Sequence, residues 1–251
     1  DQEWVDVDVM DGHWVLHREW STIGAPSHMK EMKISGTRIE NTYGNCVTTT
    51  TKGPISNDVN GQQWGAAQGG RPEGELRYHS STMVVSRVYR GSLLVYRFPF
   101  DGLWIARPGS GSHGLMPWLE TLAIRGWEVR DGCGQVAWLG ANTATGVTTL
   151  ESGRLEVHGR ELRRTGRSGS VVVLDPVLDG RWQNEDEDAG TWARMEILGM
   201  QVSDADGGRW GLDLLEDSCG FSLGGCTLAH VGTQELVWTA PDGGFHRWRR
   251  Q

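Results

Sequence analysis

The sequence predicts an all-β protein made of three tandem antiparallel β-repeats packed together, with little helix. Two short motifs recur in the same order along the chain, and apolar residues alternate with polar ones in most of the candidate strands. Such alternation is typical of a half-buried strand, because successive side chains point to opposite faces of a sheet. No segment keeps a helical period over about 11 residues, so the strands are left as the main structural element.

The first motif is an Ile followed two residues later by a Gly, with a second Gly eight residues after the first. It occurs in "KISGTRIENTYG", "AIRGWEVRDGCG" and "EILGMQVSDADG". The alternation changes phase at the first Gly, which predicts a bulge or sharp twist inside a strand. The second Gly closes a segment rich in Asn and Asp, which predicts a hairpin turn with positive φ. We therefore predict structural roles for six glycines: Gly36, Gly44, Gly126, Gly134, Gly199 and Gly207.

The second motif, D-G-x-W, begins at Asp11, Asp101 and Asp179, with a degenerate copy, "DGGFHRW", from Asp242. Successive Asp-Gly pairs lie 90, 78 and 63 residues apart. Each pair after the first follows an apolar run, so we predict that each repeat of five or six strands ends with an Asp-Gly turn and a strand that carries the Trp. The predicted repeats are residues 1–107, with an N-terminal strand and a long loop over 48–74, then 108–182 and 183–251.

The segments "LVYRFPFDGLWIAR" and "LVWTAPDGGFHRWRR" show a further likeness. With the Ile-Gly openings, they resemble tandem modules of predicted dinoflagellate proteins, which often close with L-x-W-x-D-G-x-x-W-x-R. The resemblance covers nearly the whole chain, and it implies a β-repeat scaffold without catalytic residues. It also implies an alga-like source, in which attachment to a large organelle complex such as a photosystem would be one role.

Charge and hydropathy limit the classes of partner that the protein is expected to bind. The formal net charge is −8, which argues against binding to nucleic acid, because that function needs a basic face. The longest apolar runs are far shorter than the roughly 18 residues of a membrane helix, so no transmembrane segment is predicted. The acidic start lacks a signal peptide, and we expect a soluble protein, organellar (chloroplast) if a targeting segment has been removed. Local basic clusters are present: Arg160, Arg163, Arg164, Arg167, Arg247, Arg249 and Arg250.

Four cysteines are present, and their pairing does not follow from the sequence. Cys219 and Cys226 enclose the short segment "GFSLGG", so one reading is a local hairpin disulfide and the other is separate buried thiols. No C-x-x-C occurs, and the acidic runs lack the spacing of a calcium loop. We therefore predict no metal site and no cofactor.

The D-G-x-W motifs are the main candidates for ligand binding. Tryptophan faces stack on sugar rings and aspartates accept hydrogen bonds from hydroxyl groups, whereas the alternative reading is a turn followed by a core Trp. The candidate binding residues are Asp101, Trp104, Trp127, Asp179 and Trp182. No catalytic residue is predicted, because no nucleophile motif occurs and no carboxylate pair is singled out by spacing.

These features predict a non-catalytic binding or scaffold protein, a subunit of a larger assembly that contacts protein partners, including one attached peripherally to a membrane complex. An extrinsic subunit of a photosynthetic complex is the specific form that the resemblance implies. The first alternative is a module that binds carbohydrate or another small ligand. The second alternative is a hydrolase with paired carboxylates.

Overall fold

A computed structural model gives the structure of the chain. It describes residues 10–21, 26–36, 38–48, 74–79, 82–110, 120–142, 147–150, 153–186, 190–215 and 220–251. The described residues form antiparallel strands in three sheets, with two short 3-10 helices at Ser27–Met29 and Gly190–Ala193. The all-β prediction with three repeats is therefore confirmed. The predicted loop over 48–74 lies almost wholly outside the described residues.

The first sheet has seven strands in the order β4-β3-β2-β1-β7-β6-β5. Its strands are β1 (Gly12–Leu16), β2 (Glu31–Ser35), β3 (Arg38–Asn41), β4 (Cys46–Thr48), β5 (Leu76–His79), β6 (Val84–Tyr89) and β7 (Ser92–Arg97). The last strand pairs with the first, since Leu16 lies opposite Tyr96. Trp20, Val84, Leu93 and Val95 form a buried cluster of this part of the chain.

The second sheet is a closed barrel of eight antiparallel strands. Its strands are β8 (Gly102–Ala106), β9 (Thr121–Arg125), β10 (Glu128–Asp131), β11 (Val136–Asn142), β12 (Val147–Leu150), β13 (Gly153–His158), β14 (Glu161–Thr165) and β15 (Val171–Pro176). Each strand pairs with the next along the chain, and β15 closes the barrel on β8, with Leu174 opposite Ala106 and Pro176 opposite Trp104.

The third sheet has nine strands in the order β19-β18-β17-β16-β24-β23-β22-β21-β20. Its strands are β16 (Gly180–Asn184), β17 (Arg194–Leu198), β18 (Gln201–Asp204), β19 (Arg209–Gly211), β20 (Asp213–Leu214), β21 (Phe221–Leu223), β22 (Cys226–Val231), β23 (Glu235–Thr239) and β24 (Phe245–Arg250). The last strand again pairs with the first, with Trp182 opposite Arg250.

The strand pairing moves the predicted repeat boundaries towards the N-terminus by one strand. β8 pairs with β9 and β15, and β16 pairs with β17 and β24, so the D-G-x-W strand opens each sheet and does not close the preceding one. The first sheet belongs to a compact unit that ends at Pro99, and the second and third sheets belong to a unit over Phe100–Gln251. The described strands also outnumber the predicted five or six in each sheet. In the first and third sheets some of the additional strands, such as β20, are too short to show alternation.

The prediction of a bulged strand at the first Gly of the Ile-Gly motif is wrong. Strands β9 and β10 pair Arg125 with Glu128, and β17 and β18 pair Leu198 with Gln201, which leaves only two residues for each turn. Gly126 and Gly199 are the first residues of these two-residue hairpin turns, with φ of +60° and +65°. The phase change in the sequence is therefore the reversal of the chain at a hairpin.

The second Gly of the motif lies in a four-residue turn with a polar cap. In the barrel the turn spans 132–135, and the N–H groups of Cys133 and Gln135 both donate to Asp131 Oδ1 at 2.9 Å. Asn41 and Asp204 cap the equivalent turns in the same way. All six predicted structural glycines have positive φ, between +57° and +81°.

The third sheet and one side of the barrel share a hydrophobic core. Leu103 and Ala123 lie opposite each other on β8 and β9, and both belong to the buried cluster that contains Trp182, Trp238 and Trp248. Their neighbours Trp104 and Leu122, one residue along each strand, point to the other face and are buried as well. At these positions the two barrel strands are therefore buried on both faces.

Candidate functional site

The two repeated motifs meet in space. In each repeat, the carboxylate of the D-G-x-W Asp accepts a hydrogen bond from the backbone N–H of the Gly in the two-residue hairpin. The bonds are Gly36 N to Asp11 Oδ1 (2.9 Å), Gly126 N to Asp101 Oδ1 (2.6 Å) and Gly199 N to Asp179 Oδ1 (2.8 Å). The Asp residues therefore hold the first hairpin of each sheet in position.

The tryptophans of the D-G-x-W motif also make the same hydrogen bond in each repeat. Each indole N–H donates to the backbone carbonyl four residues earlier: Trp14 to Met10 (2.8 Å), Trp104 to Phe100 (2.7 Å) and Trp182 to Leu178 (2.8 Å). Trp104 and Trp182 are 4% and 0% exposed. A buried ring with a satisfied N–H cannot stack on a sugar, so the structure corrects the predicted binding role of Trp104 and Trp182 to a structural role.

The other predicted binding residues have different surroundings. Asp101 is 1% exposed, so its carboxylate is also structural. Asp179 caps Gly199 in the same way but is half-buried and lines a surface pocket. Trp127 is half-buried at the second position of the barrel's two-residue hairpin, where its carbonyl accepts the N–H of Leu139 (2.8 Å). Of these residues, Asp179 is the one that lines the charged surface pocket.

The degenerate D-G motif is not a fourth opening unit. Asp242 caps its own hairpin between β23 and β24, with Gly244 N donating to its Oδ1 at 2.9 Å. Trp248 lies on β24 and is buried in the core of the third sheet.

The cysteines give no support to a disulfide. Cys133 is exposed and Cys226 is half-buried, and both have free thiols. Burial and the nearby charge of Asp242 raise the pKa of the Cys226 thiol. Cys219 lies outside the described residues, and the free thiol of Cys226 does not support the predicted Cys219–Cys226 disulfide.

An exposed apolar strip lies on the outer face of the barrel strand β11. Val136 and Trp138 lie two residues apart and are 51% and 63% exposed. Across the ladder they lie opposite Arg130 and Glu128, which form an ion pair (2.7 Å). Trp138 thus differs from Trp104 and Trp182, because its ring is available to a partner.

A second surface feature is a charged pocket of about 350 Å³ in the unit over Phe100–Gln251. Its arginines are Arg107, which follows β8, Arg160, in the turn between β13 and β14, and Arg250, at the end of β24. Its carboxylates are Glu161, Asp175 and Asp179, and His158 also lines it.

Two of these carboxylates are held by arginine. Arg107 donates to both oxygens of Asp175 (2.6 and 2.9 Å) and to Glu161 (3.1 Å). Arg163 donates to the other oxygen of Glu161 (2.5 and 2.7 Å). The hydrogen bond from Arg163 lowers the pKa of Glu161, and the hydrogen bonds from Arg107 lower the pKa of Asp175. Both groups therefore stay ionised and already have cationic partners.

Arg250 is fixed from several directions. Its side chain donates to the backbone carbonyls of Thr233 (2.8 Å), Asp179 (2.6 Å) and Val177 (2.7 Å). Its guanidinium lies 4.3 Å from the centre of the Trp182 ring, a cation–π contact. Burial lowers the pKa of Arg250, and the positive charge of Arg160 lowers it further.

The pocket's carboxylates do not resemble the pair of a glycosidase. Such enzymes need one carboxyl with a raised pKa as the general acid, whereas the pKa values of Glu161 and Asp175 are lowered. A close Ser–His contact occurs elsewhere, with Ser86 Oγ 2.7 Å from His79 Nε2, but Ser86 is 0% exposed. A substrate could not reach that hydroxyl group without opening of the sheet.

The sequence contained a partial signal for the pocket. Arg160 and Arg250 belong to the two basic clusters, but nothing in their spacing predicted that they would line one pocket. The first cluster surrounds strand β14, with Arg163 and Arg164 on the strand and Arg160 in the preceding turn. Gly153 leaves room inside the barrel for the Arg164 side chain, whose Nε would lie 2.8 Å from an added Cβ.

No protein-family model, no curated protein and no solved structure matches the chain. Within the described ranges, no helix has both the length and the apolar character needed to cross a bilayer. In the same part of the chain, no three His, Cys, Asp or Glu side chains are grouped so as to hold a metal ion.

Proposed function

We propose that the protein is a non-catalytic binding protein that acts as a subunit of a larger assembly and contacts a partner protein through the outer face of β11. The exposed ring of Trp138 is the observation that carries this proposal. The recurring Asp and Trp side chains are used inside the sheets, so the features that differ between repeats are the ones left for recognition.

The composition around Trp138 supports a protein partner. Trp is the residue type most enriched at binding hot spots, and it works best at the centre of a contact with a polar rim. Val136 extends the apolar centre, and the partly exposed Glu128, which is held by the buried Arg130, is a polar neighbour. A Trp exposed to this extent offers roughly 150 Å², far below the about 800 Å² that each partner of a stable complex buries. The strip is therefore an anchor within a larger, mainly polar contact with another protein.

The test is to identify the partner and then rebuild the complex from purified components. We expect the wild-type protein to bind the partner with a defined stoichiometry and Trp138→Ser to weaken binding at least tenfold. Phe245→Ser is the matched control, since Phe245 is also a large exposed apolar residue, 67% exposed, but lies on β24. A native protein that elutes alone as a monomer, or a complex equally tight with Trp138→Ser, would contradict the proposal. If the wild type forms a homodimer and Trp138→Ser does not, the partner is a second copy of this chain.

A carbohydrate-binding function is the second candidate, now centred on Trp138. An exposed indole face suits stacking on a sugar ring, and Glu128 lies opposite it in the ladder. A glycan titration that changes the Trp fluorescence of the wild type but not of Trp138→Ser would favour this function. That the assembly is an organellar photosynthetic complex stays a prediction from the resemblance.

A further inference from the structure

We propose that the charged pocket beside β13, β14 and β24 is a binding site for an oxyanion group, a phosphate or a carboxylate, held between Arg160 and Arg250. The site is separate from the β11 strip and does not depend on the proposed function. It is made by residues from two sheets of the same unit, which the chain brings together over about 90 residues.

Two of the three carboxylates of the pocket are paired with arginines. Asp175 and Glu161 are bound by Arg107, and Glu161 is bound by Arg163 as well. Asp179 accepts the N–H of Gly199. Arg107, Asp175 and Glu161 therefore form a closed set of contacts, whereas the negative charge of Asp179 raises the pKa of Arg250. Arg160, His158 and the remaining N–H groups of Arg250 are the donors left for a ligand in the described part of the pocket.

The donors of Arg250 are only partly used. A guanidinium has five N–H groups, and three backbone carbonyls take one bond each. Two N–H groups remain for a ligand, on a side chain that the carbonyls and the Trp182 ring hold rigid. A fixed guanidinium loses little conformational entropy when it binds an anion, which makes Arg250 the preorganised half of the site.

Arg160 supplies the second half. Its side chain is exposed, and among the described residues it has no hydrogen bond or ion pair. Burial is the main cause that lowers the pKa of Arg250, and the positive charge of Arg160 adds a smaller repulsion in the same direction. An oxyanion placed between the two guanidinium groups would replace this repulsion by two attractions, because planar guanidinium groups match carboxylate and phosphate geometry. His158, which has no polar contact within the described structure, lies at the same pocket as a further donor.

The size and position fit a group that is free or attached to a larger molecule. A pocket of about 350 Å³ is at the small end of ligand sites, which suits a phosphate or carboxylate with a few further atoms. The pocket is formed by exposed residues such as Arg107 and Arg160, so the anion needs no opening of the fold to enter.

The experiment is a calorimetric titration of the full chain with inorganic phosphate, and separately with acetate, at constant ionic strength. We expect saturable binding of at least one anion, and Arg160→Gln should weaken it about tenfold, as expected for losing a hydrogen bond to a charged group. The control is Arg167→Gln, an exposed arginine in the turn between β14 and β15 and outside the pocket. It should bind as the wild type does.

The possible results distinguish a phosphate site from a carboxylate site, and both of these from the absence of an anion site. Tighter binding of phosphate identifies a phosphate site, and tighter binding of acetate identifies a carboxylate site. Arg250→Lys is a second variant with the charge retained, and it should also weaken binding while thermal unfolding reports whether the fold is kept. Absence of saturable binding to the wild type, or equal losses in Arg160→Gln and Arg167→Gln, would overturn the proposal.

Discussion

The openings of the second and third sheets use the same hydrogen bonds but have different neighbours. Asp101 and Asp179 both cap a hairpin Gly, and Trp104 and Trp182 both bond to the carbonyl four residues earlier. In the barrel, Trp104 lies opposite Pro176 and the surroundings are closed. In the third sheet, Trp182 lies under Arg250, which also lines the pocket.

The glycines of the second and third D-G-x-W motifs, Gly102 and Gly180, also differ in their neighbours. Gly102 and Gly180 have φ of +132° and +145°, a region that other residues rarely adopt. A Cβ on Gly102 would lie 3.3 Å from the Cα of Gly199, whereas a Cβ on Gly180 would lie 2.7 Å from Nη1 of Arg250. One glycine thus makes room for backbone and the other for a charged side chain. The same D-G-x-W hydrogen bonds can therefore lie beside different surface residues in each repeat.

The largest expected effect is the loss of either buried Trp. Trp104→Ala and Trp182→Ala should each reduce the free energy of unfolding by about 3–5 kcal/mol, because each leaves a cavity and an unsatisfied carbonyl. Urea unfolding followed by circular dichroism measures this. Trp138→Ala is the matched control and should change the stability by less than about 0.5 kcal/mol. If Trp182→Ala is as stable as the wild type, Trp182 does not have the structural role that Trp104 has.

The next effect separates the two glycines. Gly102→Ala and Gly180→Ala should each cost about 1–3 kcal/mol from backbone strain. In a double-mutant cycle, Gly180→Ala should cost clearly less in an Arg250→Ala background, because the side chain that its Cβ meets is then absent. Gly102→Ala should cost the same in both backgrounds. Equal costs of Gly180→Ala with and without Arg250 would show that the contact has no energetic role.

The Asp caps should give a smaller effect. Asp101→Ala removes the buried carboxylate that accepts the Gly126 N–H, and we expect the free energy of unfolding to fall by about 2 kcal/mol. Asp101→Asn keeps an oxygen acceptor and should lose less. Asp11→Ala in the first sheet should reduce the stability less than Asp101→Asn does, because Asp11 is half-buried and water can replace its oxygen as the acceptor. Thermal unfolding measures all three, and the reverse order would contradict a role set by burial.

The smallest effect concerns the ion pairs of Arg107, which are at the surface. The lowered pKa values of Asp175 and Glu161 mean that their pairing stabilises the fold above the unfolded values of 3.8 and 4.5 and is lost as the pH falls through the lower folded values. Wild type should therefore have a slightly higher Tm than Arg107→Gln at pH 7, and the difference should shrink below about pH 4. A difference that grows in acid would have the wrong sign.

The sequence predicted the strands and the repeat because both depend on local patterns. Alternation in "LAIRGWEVR" and the turn residues around Gly134 are read within about ten residues. The bond between Asp101 and Gly126 joins residues 25 apart, so two motifs that recur in order gave no sign that they touch. The closure of β15 on β8 spans a still longer separation, and no local pattern specifies it.

The candidate sites depended even more on tertiary structure. The constant position of Trp104 and Trp182 in each repeat was a signal for a core role, and the structure agrees with that reading. Trp138 lay outside every repeated motif, so its exposure followed only from the barrel geometry. Arg160 and Arg250 gave only a sign of local charge, since their common pocket depends on the register of β14 and on the pairing of β24 with β16.

The D-G-x-W tryptophans Trp104 and Trp182 are buried structural residues, whereas Trp138 is exposed. Hydrogen exchange of the indole N–H groups, followed by NMR, tests this most directly. We expect slow exchange for Trp104 and Trp182, at a rate set by unfolding, and fast exchange for Trp138. Fast exchange at Trp104 or Trp182, at the rate of Trp138, would contradict the claim and return the motif to the candidates for ligand binding.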